Sequence, residues 1–524
     1  MKFFNTAGPV NCDMNYCLLP LTRFDLEEIE ILIDQHKYFI LHAPRQTGKT
    51  SCMLALMKHL NIKGMTCLYI NVESAQAMRE NVKEALTAIL SEIASRTRSF
   101  LKSNYLEDIW YDIITKRSSN ALNEILTRWA EMDSQPKVLI IDEIDSLIGD
   151  TLISVLRQLR SGYDKRPQSF PQSIILCGIR DVRDYRIHSS SEKTIITGGS
   201  AFNIKAKSLR LGDFTKAEII TLYQQHTHMN GQVFTDEAFE AAWLLSEGQP
   251  WLVNALANEV TFEMKEMRDP TIKITEDHMQ EAGQNLIRRR ETHLDQLVDK
   301  LAEERVQKVI EPILLGIETP EKAKEDDILY VMDLGLIKID PKMRIANKIY
   351  QEVIPRALTF STQVTISQET SWYIRESDGT IDFNKLMHAF QDFFRKHSEK
   401  WQDGFQYREA SVQLLLQAFL QRIINNGGYI FREYGLGKKR TDLLIIWHKG
   451  KQKQEVVVEL KIRRSNTQKT IQKGVQQTWN YMDKCGASEG HLVIFDQRKS
   501  KSWKDKIFMR KEQWNGSEIM VWGM

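Results

Sequence analysis

The chain has 524 residues, enough for about three domains. With 42% hydrophobic and 27% charged residues it reads as an ordinary soluble protein with sizeable cores. No apolar run reaches the length of a bilayer span. The opening Met1-Lys2-Phe3-Phe4-Asn5 leads into polar, Pro-containing sequence, so no secretory leader and a cytoplasmic location are the expectation.

The net charge of +2 hides an asymmetry. From Phe405 to Met524 there are 22 Lys and Arg against 11 Asp and Glu, while the rest carries 49 basic and 58 acidic side chains. A basic C-terminal region on an acidic body suggests contact with a polyanion. The six cysteines, Cys12, Cys17, Cys52, Cys67, Cys177 and Cys485, form no C-x-x-C pair, and several sit in apolar runs. The expectation is reduced thiols, with neither zinc nor disulfides.

Tyr38-Phe39-Ile40-Leu41 reads as a buried strand, and Met53, Leu54, Met57 and Leu60 recur at helical spacing. Between them lies Ala43-Pro44-Arg45-Gln46-Thr47-Gly48-Lys49-Thr50. Strand, loop and helix are the context of a phosphate-binding loop, in which backbone N–H groups and the helix N-terminus face the phosphates. Lys49 is expected at the β and γ phosphates and the Thr50 hydroxyl on Mg²⁺. Ala43 stands where the first Gly usually stands, which removes some backbone freedom. The alternative is a chance Gly-Lys-Thr in a surface turn.

A second strand is expected at Cys67–Val72, then an amphipathic helix carrying Val82, Ala85, Leu86, Ile89, Leu90 and Ile93. Val138-Leu-Ile-Ile leads straight into Asp142-Glu143, and Ser173–Cys177 is a fourth strand. Short apolar strands alternating with helices predict a parallel sheet covered on both faces. Asp142 is expected to hold the Mg²⁺ water shell and Glu143 to orient or deprotonate the attacking water. Arg157, Arg160, Arg180 and Arg183 are four candidates for an arginine acting on the transferring phosphoryl group, in cis or from a neighbouring subunit. Ion pairing to Asp181 or Asp184 is the alternative.

From Asp213 to Arg268 the pattern is helical, opened by the capping box Thr215-Lys-Ala-Glu218 and interrupted at Gly248-Gln-Pro250. From about Leu286 to Thr359, a charged helix followed by two short β runs, Asp327–Ile337 and Met343–Asn347, resembles a winged helix of balanced charge. Residues 360–380 read as a linker.

In the C-terminal region Tyr407–Asn425 is expected to be helical, with Glu409 near its start. Thr441–Trp447 and Gln454–Lys461 are expected as strands joined by a polar turn at His448–Lys453. In such a hairpin 447 faces 454, and counting outward sets Asp442 opposite Glu459, with Lys461 on the same face as Glu459. Opposed residues have Cβ atoms about 5 Å apart. Two converging carboxylates suit Mg²⁺, and Lys461 can orient a water or neutralise a phosphate. The alternative is a surface hairpin with scattered charges. Basic residues surround the pair, among them Arg432, Lys438, Lys439, Arg440, Arg463, Arg464, Lys469, Lys473, Lys499, Lys501, Lys504 and Lys506. Such side chains hold a phosphate backbone without reading bases.

Asp442…Glu459-Leu-Lys461, Glu409 on the preceding helix and Gln477-Thr-Trp-Asn-Tyr481 resemble the PD-(D/E)XK nuclease motif and its accessory elements. Together with Pro44-Arg45-Gln46-Thr47-Gly48-Lys49-Thr50, Asp142-Glu143 and the lid motif at Pro250, the chain resembles bacterial AAA-type ATPases of the STAND and origin-recognition kind fused to such a nuclease. The resemblance implies an α/β fold, with a P-loop ATPase core at 1–212, a helical lid at 213–285 and a winged-helix-like domain at 286–359. After the linker, a nuclease-like α/β domain would fill 381–524. It implies Pro250 near the adenine, ATP and Mg²⁺ as cofactors (Mn²⁺ also at the nuclease site) and a homo-oligomer. It implies a nucleic-acid partner, DNA before RNA, and a role in defence or mobile elements. The rival reading is a signalling or DNA-remodelling ATPase whose nuclease-like domain binds without cutting.

Overall fold

The computed structural model describes residues 2–181, 186–189, 194–289, 294, 298–314, 323–340, 342–358, 373–375, 377–404, 411–424, 428–436, 439–449, 452–463, 467–496, 498 and 501–524. The chain forms two compact units, Met1–His293 with Lys324–Ile339, and Leu294–Ala323 with Asp340–Met524.

The first unit holds β1 (Tyr38–His42), β2 (Thr66–Asn71), β3 (Lys137–Asp142), β4 (Ser173–Gly178), a small antiparallel hairpin of β5 (Arg186–Ser189) and β6 (Thr194–Thr197), β7 (Lys205–Arg210) and the short β8 (Ile337–Lys338). Five of these make a parallel sheet in the order β2-β3-β4-β1-β7. Its middle strands are apolar on both faces because helices cover both. One face packs Ile40, Leu68, Ile70, Leu139, Ile141 and Leu176 among helices Val82–Leu101, Ala121–Ala130 and Gly149–Ser161. The other packs Phe39, Leu41, Cys67, Tyr69, Ile140 and Cys177 against helices Leu26–Asp34 and Lys49–Ile62. The alternation of odd and even positions follows from the two-residue repeat of a strand.

The expected lid helices are present as Lys216–Asn230, Asp236–Ser246, Pro250–Asn258 and Glu276–Arg289. Thr215 and Glu218 form the expected capping box. Asp327–Ile337, expected as a β run, is instead mostly helix: Glu325–Asp333 is helical, and only Ile337–Lys338 at the end of the run is extended. Three acids, Glu325, Asp326 and Asp327, favour that helix by complementing its N-terminal dipole. This segment belongs to the first unit, whereas helix Glu304–Leu314 and helix Lys348–Leu358 belong to the second. The expectation of reduced cysteines fails at one pair. Cys12 and Cys17 form a disulfide, their Cα atoms 5.4 Å apart across a tight loop that the Phe3–Asn15 bridge closes. Cys52, Cys67 and Cys177 are buried free thiols, as their apolar settings suggested.

The second unit contains β9 (Arg344–Ile345) and a six-stranded sheet of β10 (Gly428–Leu436), β11 (Lys439–Lys449), β12 (Gln452–Arg463), β13 (Glu489–Asp496), β14 (Phe508–Trp514) and β15 (Ser517–Gly523). Its order is β10-β11-β12-β13-β15-β14. The first three strands form an antiparallel meander, and β13 joins β12 in parallel after the helix Thr467–Cys485. Leu443, Ile445, Trp447, Val456, Val458 and Leu460 face helices Phe383–Gly404 and Ser411–Ile424. Leu444, Ile446, Val457, Leu492 and Ile494 face Ile471, Val475, Tyr481 and Met482 of helix Thr467–Cys485. The predicted hairpin is real but longer, with only 450–451 between its strands. The end of the expected linker is ordered: Ile374 bridges Ile381, and Tyr373 and Ile381 are buried in the core of this unit.

Candidate functional sites

The phosphate loop leaves the carboxyl end of β1 and turns into helix Lys49–Ile62. Gly48, at the helix N-cap, has φ +90°, a conformation that a side chain would strain. Thr47 and Lys49 are buried, while Arg45 and Gln46 are exposed. The Lys49 ammonium donates to the carbonyls of Ala43 and Pro44, each at 2.9 Å. The Thr47 hydroxyl donates to Pro44 O at 2.8 Å, tightening the loop. Arg23 stacks on Phe214, with its guanidinium carbon 4.4 Å from the ring centroid. It donates to Thr47 O and Gly212 O, so it ties the loop to the start of the lid.

The structure brings Thr50 and Asp142 together. The Thr50 hydroxyl donates to Asp142 Oδ2 at 2.7 Å, although the two lie 92 residues apart. Asp142 ends β3 and is fully buried. Glu143 follows with φ +57°, and its N–H donates to Asp142 Oδ1 at 2.9 Å. A non-glycine residue in that region stores strain of about 1–3 kcal/mol, and such residues cluster at functional sites. Burial pushes the Glu143 carboxyl up to about 6; Asp145 and Asp142 add to this, and Lys49 and Arg45 oppose it. Asp145 Oδ1 accepts the Ile179 N–H at 3.0 Å. Gly178 makes room for it, since a Cβ there would stand 2.6 Å from that oxygen. An all-oxygen set of Thr50 and Asp142 beside a loop lysine suits Mg²⁺ with phosphate oxygens.

The four arginines separate. Arg157 and Arg160 are exposed on helix Gly149–Ser161, and Arg160 donates to Ser200 O. Arg183 lies outside the described residues. Arg180 is buried just past β4. Its Nε lies 3.4 Å from Asp333 Oδ2, and its guanidinium stacks on Tyr330. Burial holds the Asp333 carboxyl above its ordinary range, against the pull of His42, Arg210 and Arg180. Gly335, two residues on, sits so close to the Pro44 side chain that a Cβ would be 2.9 Å away. Segment 324–339 therefore packs directly on the phosphate loop, a feature missed because the sequence was read there as a wing. Pro250 is the first residue of helix Pro250–Asn258. Gly248, at φ +83°, presses on the Phe214 carbonyl and accepts its N–H at 2.8 Å. Here the Gly-x-Pro motif is a turn between helices Asp236–Ser246 and Pro250–Asn258, bonded to the segment that precedes helix Lys216–Asn230.

In the second unit the strand register follows the expected count, with Trp447 opposite Gln454 and Leu443 opposite Val458. That register is set as far as Leu443 and Val458, the neighbours of Asp442 and Glu459. Glu459 is buried, and Lys461 Nζ donates to its Oε1 at 2.5 Å. By strand alternation Glu459 belongs to the face of Val457, which helix Thr467–Cys485 covers. Gln477 stands on that helix, and its buried Oε1 has no hydrogen-bond partner among the described residues. Glu409 and the side chain of Asp442 lie outside the described residues. Of the basic residues around the pair, Arg463 is ion-paired to Asp496 at 3.0 Å, and Lys506 stacks on Trp503. Among the described residues no group of three or more His, Cys, Asp or Glu gathers as a metal site.

The parallel sheet, the loop and the Thr50–Asp142 contact are those of a P-loop fold. Residues 33–185 match the family model described as "AAA domain". The fold is similar to the Walker-type ATPase PABY2304 of Pyrococcus abyssi, at 17% identity and a TM-score of 0.43, covering 63% of this chain and 95% of that one. It is also similar to Cdc6p from Pyrobaculum aerophilum, at 13% identity and a TM-score of 0.35, covering 65% and 93%. A third is the Thermotoga maritima RuvB Holliday junction branch migration motor, at 13% and 0.33, covering 63% and 95%. Likeness at this level carries no residue role over. No match is found among curated proteins. No helix among the described residues is long and apolar enough to cross a membrane.

Proposed function

We propose that the first unit binds and hydrolyses ATP with Mg²⁺. The observation that carries the reading is the Thr50–Asp142 hydrogen bond, made beneath a lysine-bearing loop and beside a strained Glu143. Lys49 exchanges the Ala43 and Pro44 carbonyls for the β and γ phosphates, while the backbone N–H groups around Gly48 receive phosphate oxygens. Thr50 and Asp142 would hold the cation, which when bound neutralises charge on the phosphates. Glu143 takes a proton from the attacking water. Arg45, Gln46 and Pro44 line the loop. Pro250 borders the adenine side of the lid. Arg180 acts within its own subunit, and in a homo-oligomer Arg157 or Arg160 serves the neighbour. Phosphate release by purified protein, compared with Lys49→Ala, tests this reading. A fall of roughly 10³-fold is expected from removing one preorganised charge, and an unchanged rate rejects the site.

The register of β11 and β12 favours a further activity for the second unit: metal-dependent cleavage of phosphodiester bonds, with DNA as the substrate. Support comes from the Glu459–Lys461 pair on the helix-covered face, from Asp442 one register step beyond Leu443, and from the meander–helix–parallel strand order. Asp442 and Glu459 would hold Mg²⁺ or Mn²⁺, and Glu409 completes the acidic set. Lys461 orients a water, and Gln477 fixes the far side of the site. A signalling or DNA-remodelling ATPase whose second unit binds without cutting is the outcome if cleavage is absent.

A further inference from the structure

β2 is buried from Thr66 to Ile70, and Tyr69 carries a hydroxyl into that core. Tyr69 is 3% exposed, and its hydroxyl donates to Asp142 Oδ2 at 2.9 Å. Asn71 is the register partner of Asp142, so Tyr69, two residues earlier, lies on the same face of the sheet. That is also the face of helix Lys49–Ile62, which brings Thr50. Asp142 Oδ2 therefore receives two O–H donors, from Thr50 and Tyr69, while Oδ1 receives the Glu143 N–H. Both oxygens are engaged, and the carboxylate is fixed in one orientation inside the protein.

We infer that Tyr69 is a positioning residue for the divalent cation: its hydroxyl holds the Asp142 carboxylate in the orientation that receives Mg²⁺ beside Thr50. The inference rests on the reading of Lys49, Thr50 and Asp142 as a Mg²⁺–ATP site. Thr50 has two tasks there, as donor to Asp142 and as oxygen ligand to the cation. When its oxygen turns to the cation, Tyr69 keeps Oδ2 satisfied. Without the phenol Oδ2 relies on Thr50 alone. Groups that orient a metal-binding carboxylate commonly contribute roughly 10–100-fold in metal affinity. The apolar ring of Tyr69 packs in the core, so the sequence alone reads it as one more core aromatic.

Tyr69→Phe removes one oxygen and adds no atom, so the sheet retains its packing. The probe is a fluorescent ATP analogue titrated with and without MgCl₂. The expected result has two parts. Affinity without Mg²⁺ matches the wild type, and the Mg²⁺ concentration for half-maximal enhancement of binding rises roughly 10–100-fold. An unchanged Mg²⁺ dependence overturns the inference and leaves the ATP site standing. Loss of nucleotide affinity without Mg²⁺ also overturns it, since it reveals a general structural role. Absence of nucleotide binding in the wild type overturns the ATP site itself, and the inference with it.

Discussion

The nucleotide site and the acidic hairpin are built by opposite means. In the first unit, β2, the end of β3, the loop after β4 and the phosphate loop with its helix are tied by short bonds: Thr50 and Tyr69 to Asp142, Ile179 to Asp145, Arg23 to Thr47. Each functional side chain has its own support. In the second unit strand register sets Leu443 opposite Val458, and the ion pair between Glu459 and Lys461 is local. A parallel sheet brings distant segments to one edge, where loops can be shaped independently. A hairpin gives a pair of opposed positions at once, but a slip of one residue turns the slipped strand's side chains to the other face.

If the nucleotide site is as preorganised as its bonds indicate, removing its base has the largest effect. Glu143→Gln should lower ATP hydrolysis by roughly 10²–10⁴-fold. Since the Glu143 carboxyl titrates at about 6 in the free protein, it is protonated below that pH and loses its role as a base. The wild-type kcat/KM should therefore fall as pH drops through about 6, and the limb should vanish in Glu143→Gln. A flat profile would assign the base elsewhere.

Segment 324–339 supports the same site by a different bond. Asp333→Ala leaves the Arg180 guanidinium buried without its carboxylate, which should cost about 3–5 kcal/mol. The urea midpoint of the first transition reads this loss. Smaller still is Gly248→Ala, which forces a Cβ toward the Phe214 carbonyl at φ +83° and should cost about 1–3 kcal/mol. An unchanged melting temperature for Gly248→Ala would show that the lid turn relaxes freely.

The two regions were also unequally legible. The phosphate loop lies within eight consecutive residues, and the strand and helix around it announce themselves by hydrophobic spacing. The hairpin register was legible because a tight turn fixes the count outward from it. What escaped depended on partners far along the chain. Tyr69 reads as a core aromatic until Asp142 is placed beside it. Asp327–Asp333 holds a continuous apolar run that suits a strand, yet the acids in its first turn favour a helix. The β10 strand escapes because Gly428 reads as the end of a helix, and Arg432 and Glu433 interrupt its apolar pattern. The Cys12–Cys17 pairing follows from a fold of the first residues that no spacing rule encodes.

The central claim is that two separate centres occupy one chain, and the acidic hairpin is where it is most exposed. The direct measurement incubates purified wild type and Asp442→Ala with linear, circular and single-stranded DNA, with Mg²⁺ or Mn²⁺, with and without ATP. The account predicts cutting by the wild type that disappears in Asp442→Ala, while ATP hydrolysis by that variant is unchanged. Cutting that persists in Asp442→Ala, or no cutting by the wild type under any of these conditions, would contradict it.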